Sequence, residues 1–230
     1  MTAALYLHRT PPHGDEELRY SLRTVHRLGI DEVWLVGDLP SWARNVGHIA
    51  EPPDRGLDKF GRLWDALRAA VNHDALPEDF VLMNDDYHAL RAFEPAVEHR
   101  GYLAAQIGHS RPLNSFYGSL ANTIDYLERE AGVAEPWSYD THRPLPMRKG
   151  EVAAAMHDAR TWPTKLCARS LWGNLYATPD IQVVDVKVSD TVPVNAWRRL
   201  DLISTADAAW QGKVGAWLRK QSLEPSVFEM

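Results

Sequence analysis

With one cysteine, Cys167, in 230 residues, the chain has no internal disulfide framework and no multi-cysteine metal site. The expectation is a buried thiol and a reducing, cytoplasmic setting. No apolar run approaches the ~18 residues of a membrane span, and the N-terminus lacks the apolar stretch of a signal peptide. Neither G-x-G-x-x-G nor G-x-x-x-x-G-K-[ST] occurs, so dinucleotide oxidoreductase and P-loop NTPase readings drop out. There is no G-x-S-x-G elbow to support a hydrolase. Positive charge is not in excess either. A net charge of −6 argues against a general nucleic-acid binder, though not against a local basic groove.

What is present suits one globular unit over residues 1–230, with 45% hydrophobic and 24% charged residues. Ala3 to His8 reads as a first strand. Asp15 precedes a helical pattern of Leu18, Leu22, Val25 and Leu28, stopped at Gly29. Glu32 to Val36 is a second buried strand ending at Gly37-Asp38, and Asn45 to Ile49 a short third. From Asp58 the apolar residues Phe60, Leu63, Trp64, Leu67 and Val71 fall on one helical face. Phe80 to Met83 is a strand buried on both faces, as in a parallel sheet. Strand, helix, strand in this order predicts right-handed βαβ units and an α/β fold with a Rossmann-type, mostly parallel sheet and helices on both faces. Further on, the pattern predicts a helix from Phe116 to near Gly132 and a Pro-rich loop over 140–146. It then predicts a helix over Glu151–Ala159 and a strand over Ile181–Val188. A single amphipathic helix is expected over Ala206–Lys220, with Ser204 and Asp207 at capping-box spacing.

The chemistry concentrates where Phe80–Met83 runs out, in Asn84-Asp85-Asp86. Ligands of open α/β sheets bind outside the carboxyl ends of the strands, so Arg9-Thr10, Gly37-Asp38 and Asn84–Asp86 are expected on one edge. Adjacent carboxylates repel and call for a cation. Oxygen ligands with open positions suit Mg²⁺ or Mn²⁺ carrying a substrate diphosphate. The bland alternative is a solvated turn in which Asn and Asp bond their own backbone. Asp86 is the expected metal ligand, with Asp85 and Asn84 facing the ribose or donor sugar. His142, in a Pro-stiffened loop, is the expected second ligand, ahead of His88, His109, His8 and His13. Arg9, Lys59, Arg62, Arg169 and Lys213 are candidate diphosphate cations, and Asp38 a base or ribose contact. Asp140, Asp185, Asp190 and Asp207 stand unranked as an acceptor base.

Four stretches resemble the blocks of the Stealth family. They are Glu17–Val25 with Val33–Asp38 and Pro40-x-Trp42, then Phe80–Asp86, then His142–Pro146, and last Glu224-Pro225-Ser226-x-Phe228-Glu229. In order, they cover roughly residues 5–229. Stealth proteins are sugar-phosphate transferases with a GT-A-like core. Short chains with similar blocks, which look like glycosyltransferases, occur in bacteriophages of actinobacteria. The resemblance implies a nucleotide-sugar donor, UDP-sugar first, with Mn²⁺ or Mg²⁺. It raises Asn84, Asp85, Asp86 and His142 to site residues, aligns Arg169 as a catalytic cation, and makes Arg19 and Arg23 supports. Residues 1–90 would be the nucleotide-binding half and 91–230 the half completing the metal and acceptor sites, working in a host cytoplasm if phage-encoded. The chain is shorter than the polysaccharide enzymes. The expected reaction is glycosyl transfer to a hydroxyl of a virion protein, a glycan or a modified DNA base. Rival readings are hexose-1-phosphate transfer and a non-catalytic nucleotide- or sugar-binding module. For DNA, Arg91, Arg100, Arg198, Arg199, Arg219 and Lys220 would have to build one basic face.

Overall fold

The computed structural model describes residues 2–51, 59–107, 115–162, 165–178, 181–221 and 224–230. The chain opens with β1 Ala3–His8, α1 Glu16–Thr24, β2 Glu32–Gly37, β3 Gly47–Ile49, α2 Lys59–Val71 and β4 Asp79–Met83. It continues through β5 Tyr87–Ala89, β6 Glu98–His99, α3 Leu103–Gln106, α4 Ser115–Arg129, β7 Leu145–Arg148 and α5 Lys149–Asp158. Then come α6 Ala168–Tyr176, β8 Ile181–Gln182, β9 Lys187–Val188, α7 Val194–Trp197, β10 Leu202–Thr205, α8 Asp207–Gln211 and α9 Lys213–Lys220.

The main sheet has the order β3-β2-β1-β4-β7. Its first four strands are parallel, with Ala3 opposite both Glu32 and Phe80, and β7 closes the edge antiparallel to β4. Side chains of a strand alternate between faces. Leu5, Val36 and Leu82 therefore pack with Leu67, Ala70 and Val71 of α2 and with Val152 and Met156 of α5. Tyr6, Leu35, Val81 and Met83 pack on the other face with Leu18 and Leu22 of α1. Each central strand is apolar at consecutive positions because both of its faces are covered. The α/β class and the helices on both faces are as expected.

Smaller sheets flank this core: β5-β10-β9 and β6-β8. They account for most departures from the sequence pattern. The 140–146 stretch is not all loop, since Leu145–Arg148 pairs with β4 despite Pro146. Proline is tolerated there because β7 is an edge strand, with no neighbour asking for its missing N–H. Ile181–Val188 is not one strand. It breaks into β8 and β9 in separate sheets, with Val184 86% exposed between them. The C-terminal helix is two helices, α8 and α9, divided at Gly212, where a Cβ would lie 2.2 Å from Asp190 Oδ1. Ser204 is not a helix cap: it lies in β10, and Ala206 is the N-cap of α8 without a side-chain bond. Asp15 makes no cap bond to α1 either, because its carboxylate serves His8 instead. β3 starts at Gly47, later than Asn45; α2 is described from Lys59, and Asp58 lies outside the described residues. Cys167 is buried against Ser119 as expected, and burial raises its thiol far above the usual range.

Candidate functional site

Strand order reverses direction between β1 and β4: β2 and β3 lie on one side of β1, and β4 on the other. In open α/β sheets the carboxyl ends of the strands at such a switch point are where ligands bind. His8, the last residue of β1, bridges the switch point. Its Nδ1 lies 3.0 Å from Asp85 Oδ2, and its Nε2 lies 3.0 Å from Asp15 Oδ1. Burial alone would depress the imidazole, but the hydrogen bonds and charges of Asp85 and Asp15 outweigh it and raise the pKa. His8 is thus held between two carboxylates that favour its protonated form. Beside it Gly37 adopts φ 113°, and a Cβ there would lie 2.1 Å from the His8 carbonyl oxygen. Only glycine lets β2 turn so close to β1. The turn delivers the Asp38 N–H to that carbonyl at 3.1 Å and the Asp38 carboxylate to the Thr10 N–H at 2.9 Å. Arg9, Thr10, Asp38 and the Asn84–Asp86 triplet therefore share one edge, and Arg9 is exposed on it.

Asp86 is 8% exposed. Its Oδ2 accepts hydrogen bonds from the Lys187 ammonium and, at 2.6 Å, from the Ser204 hydroxyl. Its Oδ1 is buried without a partner. The acidic pair expected to need a cation thus has two within the protein: His8 for Asp85 and Lys187 for Asp86. Lys187 also donates to the Thr205 carbonyl at 2.6 Å, which fixes it over the end of β10.

Glu17 is the functional candidate that the sequence pattern conceals. It is 7% exposed on the inner face of α1 and accepts the Thr205 hydroxyl. Burial, with the nearby Asp86 and Asp85 charges, pushes its carboxyl up to about 8 against the opposing pull of Thr205 and Lys187. His88 Nε2 lies 3.3 Å from the same hydroxyl, and burial pulls this imidazole down to about 4, so it is neutral and stacks on Trp210. The signal was present: Glu17, Ser21 and Thr24 share the helical face of Leu18 and Leu22, and all are buried. The native state holds a proton on Glu17 that the unfolded chain releases near 4.5. Stability must then fall as pH rises from about 4.5 to about 8 and level off beyond. Glu17→Gln is expected to exceed the parent in stability by on the order of 2 kcal/mol at pH 8.5, and by much less at pH 5. Urea midpoints at the two pH values test this; a pH-independent difference contradicts it.

His142 sits at φ 50°, a backbone state uncommon for a non-glycine residue. Its Nδ1 lies 2.9 Å from Asp185 Oδ1, and Asp185 Oδ2 lies 3.0 Å from Arg100. Asp185 and Lys187, two apart in an extended segment, thus engage His142 and Asp86 respectively. The structure pairs each expected metal ligand with a protein group, not with the other. Among the described residues no three His, Cys, Asp or Glu side chains gather as a metal cluster. Arg169 reaches the triplet: it donates to Asn84 Oδ1 at 3.1 Å and to the Arg143 carbonyl at 2.9 Å. Its neighbour on α6, Ser170, donates to Asp140 at 2.6 Å. Asp140 and Arg100 in turn line a cavity of about 300 Å³.

The remaining candidates are more scattered. Lys59 is exposed at the start of α2, with Arg62 part-buried three residues on. Lys213 is exposed at the start of α9, its N–H on Asp190. His13 is exposed, and His109 lies outside the described residues. Asp207 is exposed at the start of α8. Arg19 and Arg23 both grip Glu229, at 3.2 Å and 2.8 Å, so they anchor the C-terminal segment beneath α1. Of the six basic residues a DNA face would need, Arg91, Arg100 and Arg219 are paired with Asp201, Asp185 and Glu16. No helix among the described residues is long and apolar enough to cross a membrane.

No family model and no curated protein matches the chain. Among solved structures it is distantly similar to 4-diphosphocytidyl-2C-methyl-D-erythritol synthase from Anaerococcus prevotii. Identity is 15%, over 80% of this chain and 87% of that one, with a TM-score of 0.37.

Proposed function

We propose that this protein is a glycosyltransferase of GT-A-like architecture that moves a sugar from a nucleotide-diphosphate donor to a hydroxyl acceptor. The observation that carries the reading is the His8–Asp85 bridge across the switch point, with Asn84, Asp86, Arg169 and Lys187 gathered beside it. On this reading residues 1–90 present the donor edge, and residues 91–230 contribute Arg169, Lys187 and His142. The Asp38 carboxylate, already oriented by the Thr10 N–H, takes ribose hydroxyls. Arg169, held by Asn84, and exposed Arg9 face the diphosphate, with Lys59, Arg62 and Lys213 as outer cations. Charge that develops on the departing diphosphate is stabilised best by cations fixed beforehand. Lys187 and Arg169 are fixed in this sense, each by two hydrogen bonds.

The residues fit a lightly held Mn²⁺ or Mg²⁺ better than a protein cage. Asp86 Oδ1 is buried and unpartnered. His142 turns one nitrogen to a carboxylate, as metal-binding histidines do, leaving the other to coordinate. Such an ion keeps most of its sites for phosphate and water, and it would supply Lewis-acid stabilisation of the leaving group.

Titration calorimetry tests the reading. UDP is expected to bind at least tenfold more tightly than UMP, to bind more tightly with Mn²⁺, and to be the product released from a UDP-sugar. A second reading is supported by the four sequence blocks meeting in space: Arg19 and Arg23 hold Glu229, Glu17 lies near Asp86, and Leu145 and Pro146 pair with Leu82 and Val81. That reading is hexose-1-phosphate transfer, and release of UMP in place of UDP would select it. Absence of any turnover would leave a binding module.

A further inference from the structure

The cavity beside Asp140 is not used by the donor site proposed above. α4 lines one side of it with Phe116, Tyr117 and Leu120; Arg100, Gln106 and Asp140 supply most of the polar side. We propose that this cavity is the acceptor subsite, and that it takes one sugar-sized, hydroxyl-rich group oriented by the Asp140 carboxylate. The proposal rests on the sugar-transfer reading and adds the substrate class.

Three features of the structure lead there. First, the cavity is tied to the donor edge through consecutive residues. Arg169 binds Asn84 while Ser170 binds Asp140, and Arg100 serves both the cavity wall and the Asp185–His142 pair. Second, its walls are fixed before any ligand arrives. The Arg100 guanidinium donates to the Asp140 carbonyl at 3.3 Å, the Gln106 amide donates to the Arg100 carbonyl at 3.1 Å, and the Arg100 N–H donates to the Ser138 carbonyl at 2.8 Å. Ordering these groups on binding therefore costs little. Third, the chemistry matches a pyranose. A sugar ring has an apolar face for aromatic and aliphatic walls, and a rim of hydroxyls whose hydrogen bonds to a carboxylate are charge-assisted.

Size and charge decide between acceptors. About 300 Å³ is the lower end of the range for ligand pockets, room for one ring. The Asp140 carboxylate in the wall repels a phosphate group, and the Arg100 guanidinium beside it is already paired with Asp185, which disfavours a nucleotide or a DNA strand there. The same geometry separates the four acidic candidates for the acceptor side. Asp140 lines the cavity, Asp185 is engaged by His142 and Arg100, Asp190 caps the turn at Lys213, and Asp207 is exposed at the start of α8.

The test is ligand-observed and amide-detected NMR on the full chain without donor, using methyl hexosides and the methyl glycoside of N-acetylglucosamine. Saturable binding that perturbs the amides of Gln106 and Tyr117 is expected. Ala105→Trp, which fills the cavity from an exposed position, should abolish it, and Asp140→Asn should weaken it tenfold or more. Binding of every glycoside unchanged in both variants overturns the proposal, as does the absence of any perturbation at the cavity. It is also overturned if those amides respond to a hydroxymethylcytosine oligonucleotide and to no glycoside. Hydrolysis of UDP-sugars to UDP and free sugar, with water taking the sugar and no acceptor added, is measured in parallel and reports on the donor reading alone. If the parent releases none while glycosides still bind the cavity, the transferase reading fails and the sugar site stands. If release is normal in Ala105→Trp while transfer to the glycoside falls tenfold or more, both hold.

Discussion

Asp86→Asn is expected to lower nucleotide-sugar turnover by about 10²–10³-fold while the protein stays folded. The amide keeps the shape of the side chain and can still accept from Ser204 and Lys187. What it loses is a full negative charge at a position 8% exposed, where water screens little. That charge holds the Lys187 ammonium in place and offers a buried carboxylate oxygen without a partner to a divalent ion. Steady-state kinetics with UDP-sugar and Mn²⁺, alongside a thermal melt, give the answer. Turnover within threefold of the parent removes Asp86 from the chemistry and the proposed donor site with it. Lys187→Met separates two roles of the pair. A loss of turnover with Mn²⁺ affinity unchanged makes the ammonium a phosphate contact; tighter Mn²⁺ binding makes it a competitor for Asp86.

Glu229→Ala is expected to destabilise the fold by about 3 kcal/mol, a fall of roughly 6–12 °C in Tm. The carboxylate is 2% exposed and accepts two hydrogen bonds from Arg23, at 2.9 and 2.8 Å, plus the Ser226 N–H at 3.0 Å. Removing it leaves two guanidinium groups facing each other over Trp42 and Tyr20. The loss spreads because residues 227–230 are bonded to residues 42–45, which follow the carboxyl end of β2. The Arg44 N–H donates to Phe228, the Met230 N–H to Trp42 and the Asn45 amide to Val227. Burial raises the carboxyl, but the Arg23 bonds, the Ser226 N–H and the charges of Arg23 and Arg19 lower it further, for a net fall below 4.5. Its stabilisation is therefore complete above the unfolded value near 4.5 and vanishes as pH falls through the folded one. Denaturant titrations at pH 7 and pH 3 should show the parent–variant gap closing in acid. A gap that persists at pH 3 would point to lost packing alone.

The strands β1, β2 and β4 and their shared edge were legible in the amino-acid order because a parallel strand covered on both faces leaves a continuous apolar run. Val33–Val36 and Phe80–Met83 are such runs. Gly37-Asp38 and Asn84–Asp86 mark where they end, so the composition of one sheet edge could be stated without coordinates. β5, β7 and β10 carried no such mark. Only three or four residues pair in each, and Pro146 interrupts the pattern of β7. The partners of Asp86 were equally hidden. Lys187 lies 101 positions away and Ser204 118, and no period or spacing spans such distances. Glu17 looked like a residue of the first helical turn until the fold brought the Thr205 hydroxyl at the end of β10 to its carboxyl. Local order along the chain determined where negative charge accumulates. Which cations meet that charge, and which carboxyl keeps its proton, was decided only when segments far apart in the chain were brought to the same end of the sheet.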